Sequence, residues 1–374
     1  MNLREYQAKK IFKQKGLTIP PGRIACNPSE VEAIARELAG PVVLKPQLGF
    51  KKRGKLGIIK FADTHEVARK ESESLFQQEV KGEKIKTLLV EKKLNIAREF
   101  YLAATVDYSQ RRPVLILSKQ GGVDIEELAK NSPNQLLKIP VNPLTGPDVG
   151  TFTKIDNFLN PHFSQIIKNL YEIFSEFDAE VVEVNPLIKT EDGDYIAVDA
   201  VLNINDDSLF RHEEIAGLKK EWGTSDPIAD EAAANSWTYI DLPGDIAILS
   251  SGAGLTMTIL DLIHFAGGSA ANFLDTAQID EEGIYKAFEL LTKAKSSKAL
   301  LINIFAGLNR CDSLANGIQS FLSENPMDMP VVVRMVGNKE QEGHKILRKA
   351  GIEPFTGLED AIERVVQLSK GGTA

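Results

Sequence analysis

The chain lacks the features that mark secreted, membrane-spanning or metal-clustering proteins. Its 374 residues include only two cysteines, Cys26 and Cys311, which lie far apart and form no CxxC pair. Neither a disulfide framework nor a cysteine metal site is therefore expected. No apolar run approaches the length of a transmembrane helix, and the charged first residues lack the apolar segment of a signal peptide. We expect a cytoplasmic protein, or one in an equivalent reducing compartment, with no membrane partner.

An excess of positive charge and a recognisable acid–base motif are also missing. The formal net charge is -8, which argues against a nucleic-acid-binding surface. No Ser-His-Asp or Cys-His arrangement is indicated, and His264, on an apolar helical stretch, is interpreted as a packing residue. The five histidines stand in no motif: His65, His162, His212, His264 and His344. The sequence therefore indicates no catalytic nucleophile and no general acid or base within this chain.

Length and pattern divide the chain into two parts of different kinds. A chain of 374 residues is too long for one ordinary core. Residues 131–153, rich in Pro, Asn and Gly, are interpreted as loop, and residues 204–240 as a polar connector. Strands that alternate with helices then predict a doubly wound parallel sheet. Its expected strands are 245–250, 270–275, 299–305, 331–336 and 352–355. We expect two domains, 1–238 and 239–374.

The most informative stretch of the first part is residues 180–202, EVVEVNPLIKTEDGDYIAVDAVL, which is typical of a β-hairpin. A three-residue loop ending in the glycine of Asp192-Gly193 sets Asn185 opposite Asp199. Glu183 shares the face of Asn185, because side chains alternate along a strand. Oxygen ligands of this kind suit Mg2+, which leaves its other positions to water and phosphate. The same pattern also fits a solvent-exposed polar face, and spacing alone does not choose between the two.

Charged residues upstream of this hairpin could contact a nucleotide. Lys45 ends a predicted buried strand, and the basic loop Lys52-Arg53-Gly54-Lys55 follows it. Such groups neutralise phosphates, although a charge run is also typical of a solvated surface. Glu91 and Glu99 bracket a turn between two predicted strands. They would accept hydrogen bonds from a ribose or an adenine amine, or else be surface carboxylates.

Two glycine-containing turns follow strands in the second part, at Ser250–Leu255 and Ala306–Asn309. Ligands of open parallel sheets bind beyond the carboxyl ends of the strands, and a helix N-terminus favours an anion. Met257 stands where a dinucleotide fingerprint has its third glycine, so that motif is excluded. Phosphate or carboxylate binding is one interpretation of these turns; a purely steric need for glycine is the other.

Short segments spread over the whole chain are specific enough to indicate a family. In chain order they read MNLREYQAKKIF, RRPVLILSKQGGVDIEE, NPLTGP, EVNPL, SLFRH, SGAGLTM, ANFLD and NIFAGLNRCD. Together they resemble the beta subunit of succinate–CoA ligase (succinyl-CoA synthetase), and its archaeal branch above all. The resemblance implies an α/β protein with an N-terminal ATP-grasp domain. A doubly wound, flavodoxin-like parallel-sheet CoA-ligase domain would follow it.

The resemblance also implies a reaction and its partners. In this family the nucleotide, ATP or GTP with Mg2+, phosphorylates a histidine on a partner alpha subunit, which also carries the CoA site. The phosphohistidine passes its phosphoryl group to a small carboxylate, and the CoA thiol then displaces phosphate. A carrier histidine on the partner explains why no histidine of this chain stands out.

Matching the chain to the family's motifs assigns expected roles to particular residues. Nucleotide-binding positions are Lys45, Lys52, Arg53, Gly54, Glu91, Leu94 and Glu99. Asn185 and Asp199 match the Mg2+ ligands, in agreement with the hairpin register. Glu183 matches the carboxylate that steadies the phosphohistidine. Phosphate- and substrate-binding positions are Ser251, Gly307, Leu308 and Asn309.

Three departures from the family pattern concern the substrate more than the reaction. Lys51-Lys52 replaces two glycines of the phosphate loop, residues 276–280 replace a glycine triplet, and Ser251 replaces an asparagine. Succinate is the default acid, and malate or another small acid is the alternative. A regulatory paralogue without turnover is a hypothesis of a different class. The sequence leaves open the nucleotide base and the choice between one alpha–beta pair and a dimer of pairs.

Overall fold

The structure is a computed structural model that describes residues 1–49, 57–80, 82–123, 125–221, 226–294 and 296–372. The chain divides into two compact units, Met1–Gly223 and Thr224–Ala374. Among the described residues, no helix is both long and apolar enough to cross a bilayer.

The first unit combines helices with antiparallel sheets. Its helices are α1 (Glu5–Gln14), α2 (Pro28–Leu38), α3 (His65–Phe76), α4 (Ile125–Asn131), α5 (Val149–Phe158), α6 (His162–Glu176) and α7 (Glu213–Glu221), with 3-10 turns at Pro133–Gln135 and Asp206–Arg211. Its strands are β1 (Gly22–Ala25), β2 (Val42–Pro46), β3 (Lys60–Ala62), β4 (Glu79–Val80), β5 (Glu83–Lys84), β6 (Leu88–Lys92), β7 (Ile96–Asp107), β8 (Arg112–Ser118), β9 (Leu136–Pro140), β10 (Ala179–Thr190), β11 (Tyr195–Ala197) and β12 (Val201–Ile204).

Two larger sheets organise these elements. One has the order β1-β6-β2-β3; the other has the order β11-β10-β7-β8-β9, with β12 also paired to β10. Helix α6 buries Phe163, Ile167, Leu170 and Phe174 against the second sheet, at the three- and four-residue spacing of an amphipathic helix. A separate core lies beneath α2 and α3 on the first sheet. The first unit is thus two sheets with helices packed on each.

The second unit is a five-stranded sheet with helices between the strands. Its helices are α8 (Pro227–Ala234), α9 (Ala253–Phe265), α10 (Glu281–Lys293), α11 (Cys311–Glu324), α12 (Glu340–Lys349) and α13 (Leu358–Ser369). Its strands are β13 (Thr238–Asp241), β14 (Ile246–Ser250), β15 (Asn272–Asp275), β16 (Ala299–Ala306) and β17 (Val331–Gly337).

The order of these strands is β13-β15-β14-β16-β17. The last four are parallel, and β13 adds an antiparallel edge. With β13 set aside, the chain-order pattern is 2-1-3-4, which confirms the flavodoxin-like, doubly wound arrangement. Separate cores fill the two faces of the sheet.

Four local predictions are wrong. His264 on α9 is exposed and is not a packing residue. Residues 131–153 contain β9 and the start of α5, because β9 pairs with β8 and Asp148 caps the helix by accepting the Thr151 N–H. The stretch 204–240 contains two helices and a strand, not a plain connector. Residues 352–355 form one bridge, Arg334 to Phe355, and not a strand.

The boundary between the two compact units lies between Gly223 and Thr224, earlier in the chain than the expected boundary between residues 238 and 239. Strand β13 pairs with β15, and α8 packs against β13 and α10. Both elements therefore belong with the second sheet, although they precede the strand–helix alternation in the sequence.

Candidate functional site

The predicted hairpin is present as β10 and β11. The N–H of Thr190 donates to the Asp194 carbonyl oxygen at 2.9 Å, which closes the three-residue loop. Val182 and Val184 are buried in the core of the first unit, whereas Glu183 and Asn185 are half-buried. This alternation confirms that Glu183 and Asn185 share the face opposite the core.

Strand register places Asn185 and Asp199 at facing positions. Leu187 pairs with Ala197 on one side of them, and Glu183 pairs with Val201 on the other, in the same register. Residues 198–200 interrupt the strands between these pairs. Within this interruption the carboxylate of Asp199 accepts the N–H of Ala200 at 2.8 Å.

A glycine turn holds the Asn185 side chain. The N–H of Gly122 donates to Asn185 Oδ1 at 2.8 Å, and Asn185 Nδ2 donates to the Val123 carbonyl oxygen at 3.1 Å. The same turn also passes close to strand β7. This approach requires glycine at position 121, because a Cβ there would lie 2.5 Å from the Phe100 carbonyl oxygen. An amide oxygen has two lone pairs, so Asn185 Oδ1 retains one for a further ligand.

Lys45 belongs to a buried group of charges. Its Nζ donates to Glu5 Oε1 at 2.8 Å and to the Val198 carbonyl oxygen at 2.6 Å, and lies 2.9 Å from Glu91 Oε2. Lys9 on α1 contacts the same three partners. The side chains of Lys45 and Glu91 are 8% and 3% exposed, so the alternative of a surface carboxylate at Glu91 is wrong.

Opposite charges keep this lysine protonated. Burial alone would lower the pKa of Lys45, but attraction to Glu5, Glu91 and Asp199 raises the pKa above its usual value. Lys45 therefore remains a cation, and its field reaches the Asp199 carboxylate. The predicted metal ligand and the predicted phosphate-binding lysine are electrostatic neighbours.

The other predicted nucleotide positions have varied surroundings. Leu94 lies half-buried in the connection from β6 to β7, and Glu99 lies half-buried on β7. A Cβ at Gly122 would lie 2.5 Å from the Glu99 carboxylate, so this side chain adjoins the same glycine turn. Lys52, Arg53 and Gly54 lie outside the described residues.

Glu183 projects its charge toward a buried phenol. Burial raises the pKa of Tyr101, and the negative charge of Glu183 raises it further. Tyr101 is 3% exposed, so it is a neutral hydroxyl beside the predicted catalytic carboxylate.

In the second unit, polar residues gather at the carboxyl ends of the strands. Ser251 lies in the turn between β14 and α9, and Asn309 follows β16; both line one crevice. The N–H of Gly252 donates to Asp275 Oδ1 at 2.8 Å, and Asn309 Nδ2 donates to the Ile279 carbonyl oxygen at 2.7 Å. These bonds fix the two turns relative to the crevice.

Two predicted glycines of these turns have free space beside them. Within the part of the chain that the structure describes, a Cβ at Gly254 or Gly307 would meet no atom within 4 Å. Gly252, by contrast, has φ +105°, a conformation that favours glycine. The steric interpretation therefore accounts for Gly252 but not for Gly254 or Gly307. Leu308 beside them is 77% exposed.

Sequence reasoning missed a polar row across this sheet. Asn303 on β16 is fully buried, donates to Ser250 Oγ at 3.4 Å and accepts from the Arg334 guanidinium at 3.3 Å. Burial lowers the pKa of Arg334. A polar asparagine inside the apolar strand 299–306 was the sequence signal that could have indicated this row.

The pair Glu5 and Lys9, four residues apart beside buried Ala8 and Phe12, was the equivalent signal for the buried charges of the first unit.

The fold and the two sets of residues define a class, the nucleotide-dependent CoA ligases. The family model described as ATP-grasp domain matches residues 2–189, and the model described as CoA-ligase matches residues 249–366. The two matches fall in the two units.

Full-length relatives narrow this class to one family. The succinate–CoA ligase [ADP-forming] beta subunit of Staphylothermus marinus is 38% identical, and the alignment covers 99% of both chains. The [GDP-forming] beta subunit of Thermus thermophilus is 36% identical over 99% of this chain and all of that one. The chain belongs to the succinate–CoA ligase beta-subunit family.

A solved structure has the same fold. The ATP citrate lyase of Methanothrix soehngenii, determined with citrate and coenzyme A, superposes with a TM-score of 0.73. The match covers 99% of both chains at 21% sequence identity. It supports the fold alone.

Proposed function

We propose that the chain is the nucleotide-binding beta subunit of an acid–CoA ligase. The complex would form succinyl-CoA reversibly from succinate, CoA and ATP or GTP. The facing positions of Asn185 and Asp199, next to the buried Lys45 cation, support this most directly. In the proposed site they would serve as oxygen ligands beside a phosphate-binding charge.

In the proposed complex, the first unit positions the nucleotide. The nucleotide phosphates would lie near Lys45, Lys52, Arg53 and Gly54, and Glu91, Leu94 and Glu99 are the other proposed nucleotide-binding positions. Phosphoryl transfer needs positioning and neutralisation of charge more than covalent chemistry. A buried lysine whose pKa is raised by neighbouring carboxylates would supply both.

The residues at the hairpin fit Mg2+. Asn185 and Asp199 offer one amide oxygen and one carboxylate, and Mg2+ is usually held by one or two protein groups plus phosphates and water. When bound, Mg2+ would neutralise charge on the nucleotide phosphates. The chain's own part is to hold these two side chains at facing positions, through the Gly122 and Ala200 N–H groups.

Two further groups of residues would serve the later steps. Glu183 would steady the phosphohistidine of the alpha subunit while the P–O bond to the nucleotide breaks and the P–N bond forms. The turns of the second unit would hold the phosphate and the acid as the phosphoryl group moves to the carboxylate. The thiol of CoA then displaces phosphate. These turn positions are Ser251, Gly307, Leu308 and Asn309.

A coupled assay tests this proposal. The chain and its alpha partner, which we place together in the cytoplasm, are mixed with ATP or GTP, CoA and acids of two to six carbons, and thioester is measured. We expect thioester formation that requires nucleotide and Mg2+ and is fastest with succinate. Preference for malate or another acid would correct the substrate. Absence of Mg2+-dependent phosphorylation of the partner histidine would refute the ligase function and favour a regulatory role.

A further inference from the structure

Two buried lysines of the first unit share one set of partners. Lys9 Nζ lies 2.6 and 2.7 Å from the two carboxylate oxygens of Glu91, 2.8 Å from Glu5 Oε1 and 2.6 Å from the Val198 carbonyl oxygen. Lys45 Nζ contacts Glu5, Glu91 and the same carbonyl oxygen. The four side chains are between 2% and 8% exposed. Two lysines and two carboxylates thus form one buried group, in which burial lowers the pKa of Lys9.

This arrangement constrains what Lys45 can do. An ammonium group has three N–H donors, and Lys45 has three acceptors within 2.9 Å. To donate to a nucleotide phosphate, Lys45 must release at least one of them. Release would leave Glu5 or Glu91 buried without this cation, and an uncompensated buried charge is strongly unfavourable.

We propose that Lys9 is a positioning residue that takes over these partners when Lys45 turns toward a nucleotide phosphate. The inference rests on the proposed function, because it assumes that Lys45 binds nucleotide. Lys9 already contacts Glu5, Glu91 and the Val198 carbonyl oxygen, so the exchange requires no new contact. Without Lys9, Lys45 would be the only cation of this group and would be held by both carboxylates.

Position within the fold distinguishes the two lysines. Lys9 lies on α1, is 2% exposed and chelates both oxygens of Glu91. Lys45 lies near the end of β2, is more exposed than Lys9 at 8%, and has its pKa raised in part by the negative charge of Asp199. Lys9 is therefore suited to stay, and Lys45 to move. Because Val198 precedes Asp199, the contact from Lys9 would also keep the predicted metal ligand in place during the exchange.

Binding of Mg·ADP to the full chain, measured by titration calorimetry, tests the proposal with four variants. Lys9→Met should weaken binding at least about tenfold, because Lys45 is then held by two carboxylates. Glu5→Gln should tighten binding, because it removes one of the groups that hold Lys45. The double variant Glu5→Gln with Lys9→Met should bind more tightly than Lys9→Met alone. Lys10→Met, the same change at an exposed neighbour on α1, should bind as wild type does.

Charge exchange predicts that Lys9→Met weakens nucleotide binding and that Glu5→Gln strengthens it. A purely structural role of Lys9 does not predict these opposite changes in affinity. Equal binding by Lys9→Met and Lys10→Met would overturn the proposal, as would a double variant no better than Lys9→Met. If Lys9→Met does not fold, Glu5→Gln decides: unchanged or weaker binding contradicts the exchange. A wild-type chain that binds no nucleotide would instead refute the proposed function, which keeps the two failures distinct.

Discussion

The candidate site of the first unit is built around buried charges, whereas that of the second unit is built around open turns. In the first, Glu5, Lys9, Lys45 and Glu91 are at most 8% exposed. In the second, glycines have free space beside them and Leu308 is 77% exposed. The buried charges of the first site already pair with one another, while the turns of the second site leave space for a ligand.

This difference indicates how each site would meet its ligand. Binding at the first site requires an exchange of partners, so its residues should be strongly coupled in stability and in affinity. Binding at the second requires only that the space stays free, so substitutions there should change turnover with little effect on folding.

The largest expected effect concerns the predicted metal position in the first unit. Loss of a residue that only supports a metal ligand typically lowers metal affinity or activity 10- to 100-fold. Loss of a ligand itself should cost more, so Asp199→Ala should lower the rate of phosphorylation of the partner histidine by more than about 100-fold. Asp199→Asn, which keeps an oxygen to accept the Ala200 N–H, should also be impaired, because it removes the charge. Phosphohistidine formation is measured with labelled nucleotide.

Asp192→Ala, at the exposed tip of the same hairpin, is the matched control and should leave the rate unchanged. A normal rate in Asp199→Ala, with the alpha–beta complex intact, would mean that the metal assignment is wrong.

The second effect is on stability. Lys9→Met removes one lysine that pairs with two buried carboxylates, and breaking such a buried group costs about 3–5 kcal/mol. Lys298→Met breaks the exposed pair Lys298–Asp245 in the second unit and should change stability little. Urea unfolding of the two variants checks this. Similar urea midpoints for Lys9→Met and Lys298→Met would contradict the view that charges are more important for stability in the first unit than in the second.

The third effect compares glycines. Gly122→Ala should cost about 1–2 kcal/mol, because φ is +69° and the new Cβ would meet the Glu99 carboxylate. Gly307→Ala should leave the melting temperature unchanged, since its Cβ would contact none of the described residues. It should nevertheless lower turnover of the acid by narrowing the space at the turn. A stable, fully active Gly307→Ala would show that this turn binds no ligand.

The smallest effect is on thiol reactivity. Burial raises the pKa of Cys311 to about 11, whereas Cys26 is exposed. A thiol reagent at pH 8 should therefore modify Cys26 quickly and Cys311 only after unfolding. Since the folded pKa is raised, the contribution of Cys311 to stability is complete below pH 9 and is lost as the pH rises toward 11. Rapid modification of two thiols per native chain would contradict this.

Much of the fold could be predicted from short-range pattern. The turn at Asp192-Gly193 and strand alternation gave the register of the hairpin correctly, because both are local properties of the chain. Strand–helix alternation similarly predicted the parallel sheet. Strand β9 was missed because it is stabilised by pairing with β8, a contact between distant residues that composition does not reveal.

The candidate site was predictable only in part, and for the same reason. Lys45 and Glu91 stood out as charges at strand ends, whereas the four-residue spacing of Glu5 and Lys9 was only a weak signal that Lys9 differs from the exposed lysines of α1. Only the packing of α1 against the sheets buries Lys9 and leaves Lys10 exposed. The roles of Ser251, Gly307, Leu308 and Asn309 remain predictions from the family resemblance.

The most direct test of the central claim is a crystal structure of the chain with Mn2+ and ADP, in which anomalous scattering locates the metal. We expect one peak within about 2.2 Å of Asn185 Oδ1 and an Asp199 carboxylate oxygen, with Lys45 Nζ turned to a phosphate. A metal bound elsewhere, or ADP bound with Lys45 and Asp199 far from its phosphates, would contradict the account.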